Sequence, residues 1–158
     1  MKPELLIQSA ITPALSLLPP KMDTQIARTI MLAIAWQESG MKHRKQVRGP
    51  ARGYWQFEMG GGVRGVLNHA ASASHIKQVL TALDYPDASI PADSYALIEH
   101  NDTLAAAFAR LLLWTDPAPL PSDSAGAWAL YIRTWRPGKP HPATWHSHYL
   151  NAMEFESK

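Results

Sequence analysis

Asp23-Thr24-Gln25-Ile26-Ala27-Arg28-Thr29-Ile30-Met31-Leu32-Ala33-Ile34-Ala35-Trp36-Gln37-Glu38-Ser39-Gly40 is the stretch that decides the fold class. Ile26, Ile30 and Ile34 recur at steps of four, with Ala27, Met31 and Ala35 beside them, which is the apolar stripe of a buried helix. Asp23 supplies a side-chain oxygen suited to an N-cap. Gly40 supplies the residue that most easily turns left-handed at a helix end. One further step of four from Ile34 reaches Glu38. A carboxylate is therefore expected in the last turn, on the stripe that faces the core.

Working outward, most of the chain has the same helical texture. A first helix is expected from about Pro3 to Leu18, stopped by Pro19-Pro20, neither of which can donate a helical hydrogen bond. Residues 41–53 are polar and basic and read as a loop. Tyr54 to Glu58 reads as a strand fragment or a turn, and Gly60-Gly61-Gly62 as a break. Helices follow near 63–72 and 74–83, then from about Ser94 or Asn101 to Trp114, from Ser124 to Trp135, and from Pro142 to Glu154. Pro117, Pro119 and Pro121 form a stiff connector. Strand signal is weak throughout, so a mainly α domain with a short β or irregular segment is the economical expectation. The 158 residues make one domain, large enough to bury a core without cross-links.

Composition removes several classes of function. There is no cysteine, which excludes disulfide frameworks, zinc–thiolate sites and cysteine nucleophiles. No His-Glu-x-x-His pattern or Gly-x-Ser-x-Gly elbow is present, which argues against a zinc peptidase or a serine hydrolase. Gly60 to Gly65 lacks the preceding strand and the Gly-Lys-Ser/Thr ending of a phosphate loop, and reads instead as a flexible wall of a cleft. His146 and His148 are two apart and so leave a helix on different sides, which argues against a shared metal. No apolar run approaches the ~20 residues that span a bilayer, and no secretory signal stands out, since Glu4 and Pro13 interrupt the first apolar stretch.

The formal net charge is +2, but Lys42, Arg44, Lys45, Arg48 and Arg52 fall within eleven positions. Such a cluster is either a solvated loop or a patch for an anionic polymer, and peptidoglycan with its wall polymers and nucleic acid both qualify.

Glu38 carries the chemistry. Partial burial and the negative end of the helix dipole both raise a carboxylate's pKa. An acid kept protonated near neutral pH is what glycosidic bond cleavage requires. The plainer alternative is a helix-end glutamate in solvent or paired with Arg44 or Arg48. Glu58 is a second carboxylate two residues beyond Gln56. Facing the same cleft, it would direct water and give hydrolysis. The alternative for Glu58 is a salt bridge to Arg52 or Arg64. Tyr54 and Trp55 are candidate stacking partners for sugar rings, whereas Trp36, Trp114 and Trp128 sit in helical patterns that suit a core.

Glu38-Ser39-Gly40 followed by Gly49-Pro50-Ala51-Arg52-Gly53-Tyr54-Trp55-Gln56-Phe57 resembles the paired motifs of soluble lytic transglycosylases and goose-type lysozymes, within the lysozyme-like superfamily. In that family a helix ends in Glu-Ser and is followed by Gly-x-x-Gly-Leu-Met-Gln. Here Tyr54-Trp55-Gln56 stands in place of Leu-Met-Gln. Asn101 to Leu113 is similar to the family's Asn-containing apolar helix. Ala129-Leu130-Tyr131 stands in place of its Ala-Tyr-Asn segment, with Ile132 where the family has asparagine. The likeness spans about residues 24–135, with the C-terminal helix at about 142–154 beyond it.

The resemblance implies a single lysozyme-like domain over 1–158 that cleaves the β-1,4 bond between N-acetylmuramic acid and N-acetylglucosamine in peptidoglycan glycan strands. It implies Glu38 as acid and then base, Ser39, Gln56, Tyr131 and Glu58 in support, and Gly53, Tyr54 and Trp55 at the substrate. Tyr131 is expected to hydrogen-bond Glu38. No metal or organic cofactor is needed, and a monomer is expected. Small size and the missing signal suit a bacteriophage or prophage lysis or tail protein, made in the cytoplasm and acting at the cell wall or in the periplasm. The other expectations are a lysozyme-type muramidase, a non-catalytic glycan-binding virion component and a basic nucleic-acid-binding helical domain. Nucleic acid is not the expected partner.

Overall fold

The computed structural model describes residues 1–158 and is mainly helical. The chain opens with α1 (Pro3–Leu6), a π-helical segment Ile7–Ile11 and α2 (Thr12–Ser16). The π segment lies just before Pro13, which has no N–H to donate to the Ser9 carbonyl. Thr103 Oγ1 donates to that carbonyl instead, at 3.2 Å. The helical run therefore ends at Ser16, two residues short of the expected Leu18, and passes into a 3₁₀ turn at Pro20–Met22.

The next helix, α3 (Gln25–Ser39), is the one foreseen from its stripe. Its cap is Thr24, not Asp23. The Thr24 hydroxyl accepts from the Ala27 N–H at 3.1 Å, and Asp23 is drawn into a two-point pair with Arg28. Ile26 is 37% exposed in the first turn, so the buried stripe begins at Ala27 and Ile30. Gly40 closes the helix in the left-handed conformation, φ 58°.

A loop leads to the tight turn at Gly53–Gln56, flanked by isolated bridges Lys45–Arg52 and Arg52–Phe57, so the segment is a turn and no strand forms. A π turn at Met59–Val63 runs into α4 (Arg64–Asn68), followed by α5 (Ala73–Ala82). The expected break at Gly60 to Gly62 is this turn, with Gly61 alone non-helical inside it. Of the two starts expected for the helix that ends at Trp114, Asn101 holds: the residues around Ser94 form a separate helix, α6 (Pro91–Ile98), and α7 is Asp102–Trp114. Asn101 caps α7 by accepting from the Leu104 N–H at 2.9 Å. α8 (Ser124–Trp135) and α9 (Pro142–Glu156) complete the chain.

α7 is the centre. Every residue from Leu104 to Leu113 is buried, and α2, α3, α4, α5, α6 and α8 all pack on it. α9 lies along α3. The core is one connected apolar cluster. No helix is long and apolar enough to cross a membrane.

Candidate functional site

The last turn of α3 brings Glu38 and Ser39 against two other parts of the chain, the turn at Gly53–Gln56 and the aromatic face of α8. Gly53 has φ +73°, and a Cβ there would lie 2.9 Å from Ile98 Cγ2, so both conformation and space call for glycine. Gln56 also sits in the left-handed region, φ 54°, a conformation uncommon for a non-glycine residue. Each carbonyl of the turn's first three residues is held. The Gln56 backbone N–H and Nε2 donate to Gly53 O at 3.1 and 2.9 Å. Ser39 Oγ donates to Tyr54 O at 2.7 Å. Trp135 Nε1 donates to Trp55 O at 2.9 Å. Ser39 thus ties the helix end to the turn, and Gln56 holds the turn's shape.

The expected substrate residues need correction. Trp55 has no exposed surface. Its ring points into the core and its Nε1 donates to Met31 O at 2.8 Å inside α3. Tyr54 is 3% exposed and is covered by the Arg44 guanidinium, 4.7 Å from its ring centroid. Gly53 is buried against Ile98 and Ala105. None offers an open face to a sugar. Their place beside the motif suits a surface platform, whereas the turn is tied to α3 through Trp55 Nε1 and to α8 through the Trp55 carbonyl.

Glu38 itself is partly buried. Tyr131 Oη donates to its Oε1 at 2.5 Å, across 93 residues of chain. Burial pushes the Glu38 carboxyl from an ordinary 4.5 to about 7; the Tyr131 hydrogen bond opposes the rise, and the negative charge of Glu58 adds to it. The largest cause is desolvation, which disfavours the ionised form. The Tyr131 hydroxyl is held well above its ordinary value by burial and by the adjacent carboxylate. Glu58 is exposed and unpaired, because Arg52 is taken by Glu99 at 3.3 Å. It is close enough to act on Glu38 through its charge, and it precedes the π turn at Met59–Val63.

Tyr131 is fixed by aromatic packing. Its ring lies parallel to Trp145 of α9, with centroids 5.3 Å apart at 4°, and is flanked by Trp128 and Trp135 at 5.5 and 6.2 Å. Trp135 and Trp145 are the site residues that the sequence reading left out. Trp128, Tyr131 and Trp135 follow the i, i+3, i+7 spacing of one helix face, which was a usable signal. Trp36, Trp114 and Trp128 are partly buried against the core. On the other flank Gln37 binds α9: its Nε2 donates to His141 O at 2.9 Å, and its Oε1 lies 2.8 Å from His148 Nδ1. His148 stacks on Trp36, while His146 turns to Ser124 Oγ at 2.9 Å, so the two histidines do diverge.

The basic loop divides. Arg44 is forked onto Asp102 at 2.9 and 2.8 Å, and Arg52 makes a single ion pair with Glu99 at 3.3 Å, so both brace the fold. Lys42, Lys45 and Arg48 remain exposed with no ion pair. No group of three or more His, Cys, Asp or Glu side chains could hold a metal ion. Two surface hollows, of about 310 Å³ beside Tyr85 and Ala88 and about 150 Å³ beside Arg110 and Trp114, do not include Glu38 in their walls. Comparison with protein-family models, with curated proteins and with solved structures gives no match.

Proposed function

We propose that this chain is a peptidoglycan-cleaving enzyme of the lytic-transglycosylase kind, acting on the N-acetylmuramic acid to N-acetylglucosamine β-1,4 bond, with Glu38 as its acid and base. One observation carries the reading: a partly buried carboxyl at the end of α3, protonated up to about pH 7 and held by Tyr131 Oη. A carboxylic acid with a pKa near the working pH is suited to protonating a weakly basic glycosidic oxygen. The resemblance of Glu38-Ser39 and Gly53-x-x-Gln56 to the paired family motifs supports the same reading, as does the tyrosine reaching the glutamate from α8.

In this scheme Glu38 gives its proton to the leaving oxygen, and the bond to C1 of the muramic acid breaks. The sugar's own acetamido group stabilises C1. Ionised Glu38 then takes the proton of the C6 hydroxyl as that oxygen closes on C1, giving a 1,6-anhydro end. Tyr131 steadies the carboxylate formed between the two steps, since a hydrogen bond to an ion is among the stronger ones. Ser39 and Gln56 hold the turn beneath. The exposed Lys42, Lys45 and Arg48 suit an anionic wall polymer.

A second reading rests on Glu58. In it Glu58, exposed and acting on Glu38 through its charge, directs water to C1 and leaves a reducing end. Mass spectrometry of muropeptides released from purified cell walls tests both. Anhydro ends support the transglycosylase and reducing ends the hydrolase. Absence of release, or release undiminished in Glu38→Gln, overturns the enzymatic reading.

A further inference from the structure

Arg110 is the one charged residue inside the apolar run of α7, and it is 2% exposed. Its Nε donates to Met22 O at 2.8 Å, and its guanidinium lies 5.4 Å from the Trp114 ring centroid. Its Nη1 is buried with no partner at all. Burial lowers its pKa from 12.5 to about 10, so it still carries its charge at neutral pH. The carboxylate acting on it, Asp23, has both oxygens engaged by Arg28. A sequestered cation with an unfilled donor is costly to keep, and such groups are normally paired.

The same side chain forms a wall of the 150 Å³ hollow between the end of α7 and the proline connector. The other walls are mostly apolar: Leu113, Trp114, Ala118, Pro119 and Leu120. Asp116 also lines it, but both of its oxygens are bound by Arg133, at 2.6 and 3.3 Å. Lys21 Nζ sits 5.4 Å over the Trp114 ring and adds a second cation near one wall.

We propose that this hollow is a binding site for a small organic carboxylate with an apolar body, its carboxylate on the Arg110 guanidinium and its body against Trp114 and Leu120. A hollow of this size takes a molecule with about as many atoms as a single benzene ring and its substituent. A guanidinium donor makes a strong, charge-assisted hydrogen bond to a carboxylate oxygen. Mostly apolar walls disfavour a strongly hydrated phosphate dianion. The site is built from residues 110–120 and shares no residue with the Glu38 machinery, so it stands whether or not the chain cleaves glycan.

The test is a titration with benzoate, followed by Trp indole chemical shifts, with benzyl alcohol and inorganic phosphate as comparators. Saturable binding of benzoate is expected, at least ~10-fold tighter than benzyl alcohol or phosphate. Arg110→Met should abolish this preference for benzoate while its circular dichroism stays helical. Ala118→Phe, which leaves Arg110 in place and adds bulk to the lining, should weaken benzoate by at least ~10-fold and guards against a misfolded Arg110 variant. Equal affinity for benzoate and benzyl alcohol, equal affinity for phosphate, no saturable response, or undiminished binding to a folded Arg110→Met would each overturn the proposal.

Discussion

Glu38 and Arg110 make an instructive pair. Each is an ionisable side chain carried by an apolar helix, Glu38 at the end of α3 and Arg110 inside α7, and in each the dominant influence on the pKa is loss of water. They answer that loss differently. A carboxyl can take up a proton and become neutral, and Glu38 does so at about pH 7 with Tyr131 already in place beside it. A guanidinium cannot shed its charge in the physiological range, so Arg110 stays a cation with one donor unfilled. Burial thus produces a proton donor in one place and a demand for an anion in the other.

Activity gives the largest expected contrast. Glu38→Gln keeps the shape and removes the proton; muropeptide release is expected to fall by ~10²–10⁴-fold, the range general acid catalysis supplies. Arg110→Met should leave that rate within about twofold, as the hydrogen-bond and ring partners of Arg110, Met22 and Trp114, are not those of Glu38. A comparable loss in both variants would erase the distinction between the two groups.

Stability separates them by pH. Below pH 4.5 Glu38 is protonated both folded and unfolded. Through the window from 4.5 to about 7 the unfolded chain ionises while the folded one resists, so stability falls as pH rises. Above that window the penalty reaches at most about 3 kcal/mol. Glu38→Gln should therefore raise the denaturant midpoint at about pH 8 and change it little at about pH 4. Arg110→Met should be neutral or stabilising by ~1–2 kcal/mol at both pH values, because its charge is present throughout. A pH-independent gain for Glu38→Gln would show that this carboxyl does not titrate as described.

Tyr131→Phe sharpens the account of Glu38. The hydroxyl lowers the carboxyl's pKa, so its loss should move the alkaline limb of the pH–rate profile upward. The rate at the optimum should nonetheless fall ~10-fold, since the carboxylate between the two steps loses its donor. Glu58→Gln is expected to have the smallest effect on that limb. Removing its charge lowers the Glu38 pKa and moves the limb to lower pH by less than about one unit. Opposite movements in these two variants are the signature to measure; movement in the same direction would contradict the arrangement of Glu38, Tyr131 and Glu58.

Much of the scaffold was legible one residue at a time. The four-step stripe located α3, Gly40 its end, and the proline runs its neighbours. Errors came where a contact distant in sequence competed with a local rule. Asp23 suits an N-cap, but Arg28 captures it and Thr24 takes over. Ile26 continues the stripe, yet in the first turn it stays 37% exposed. One regular helix is expected from Pro3 to Leu18, but a π segment precedes Pro13, with Thr103 from α7 bonded to the Ser9 carbonyl, and the run ends at Ser16. Trp55 looks like a sugar platform until α3 and α8 close around the turn that carries it.

What the chain determined alone was periodic: which segments coil, where they stop, and that a glutamate ends a helix on the apolar side. That information lies within a few neighbouring residues, because backbone geometry repeats every few positions. Only the packed molecule decided which distant groups meet: Tyr131 with Glu38, Trp135 with the Trp55 carbonyl, and nothing with Arg110 Nη1. The strength of an ionisable group depends on the water it loses and the partners it gains, and neither is fixed until helices far apart in sequence touch.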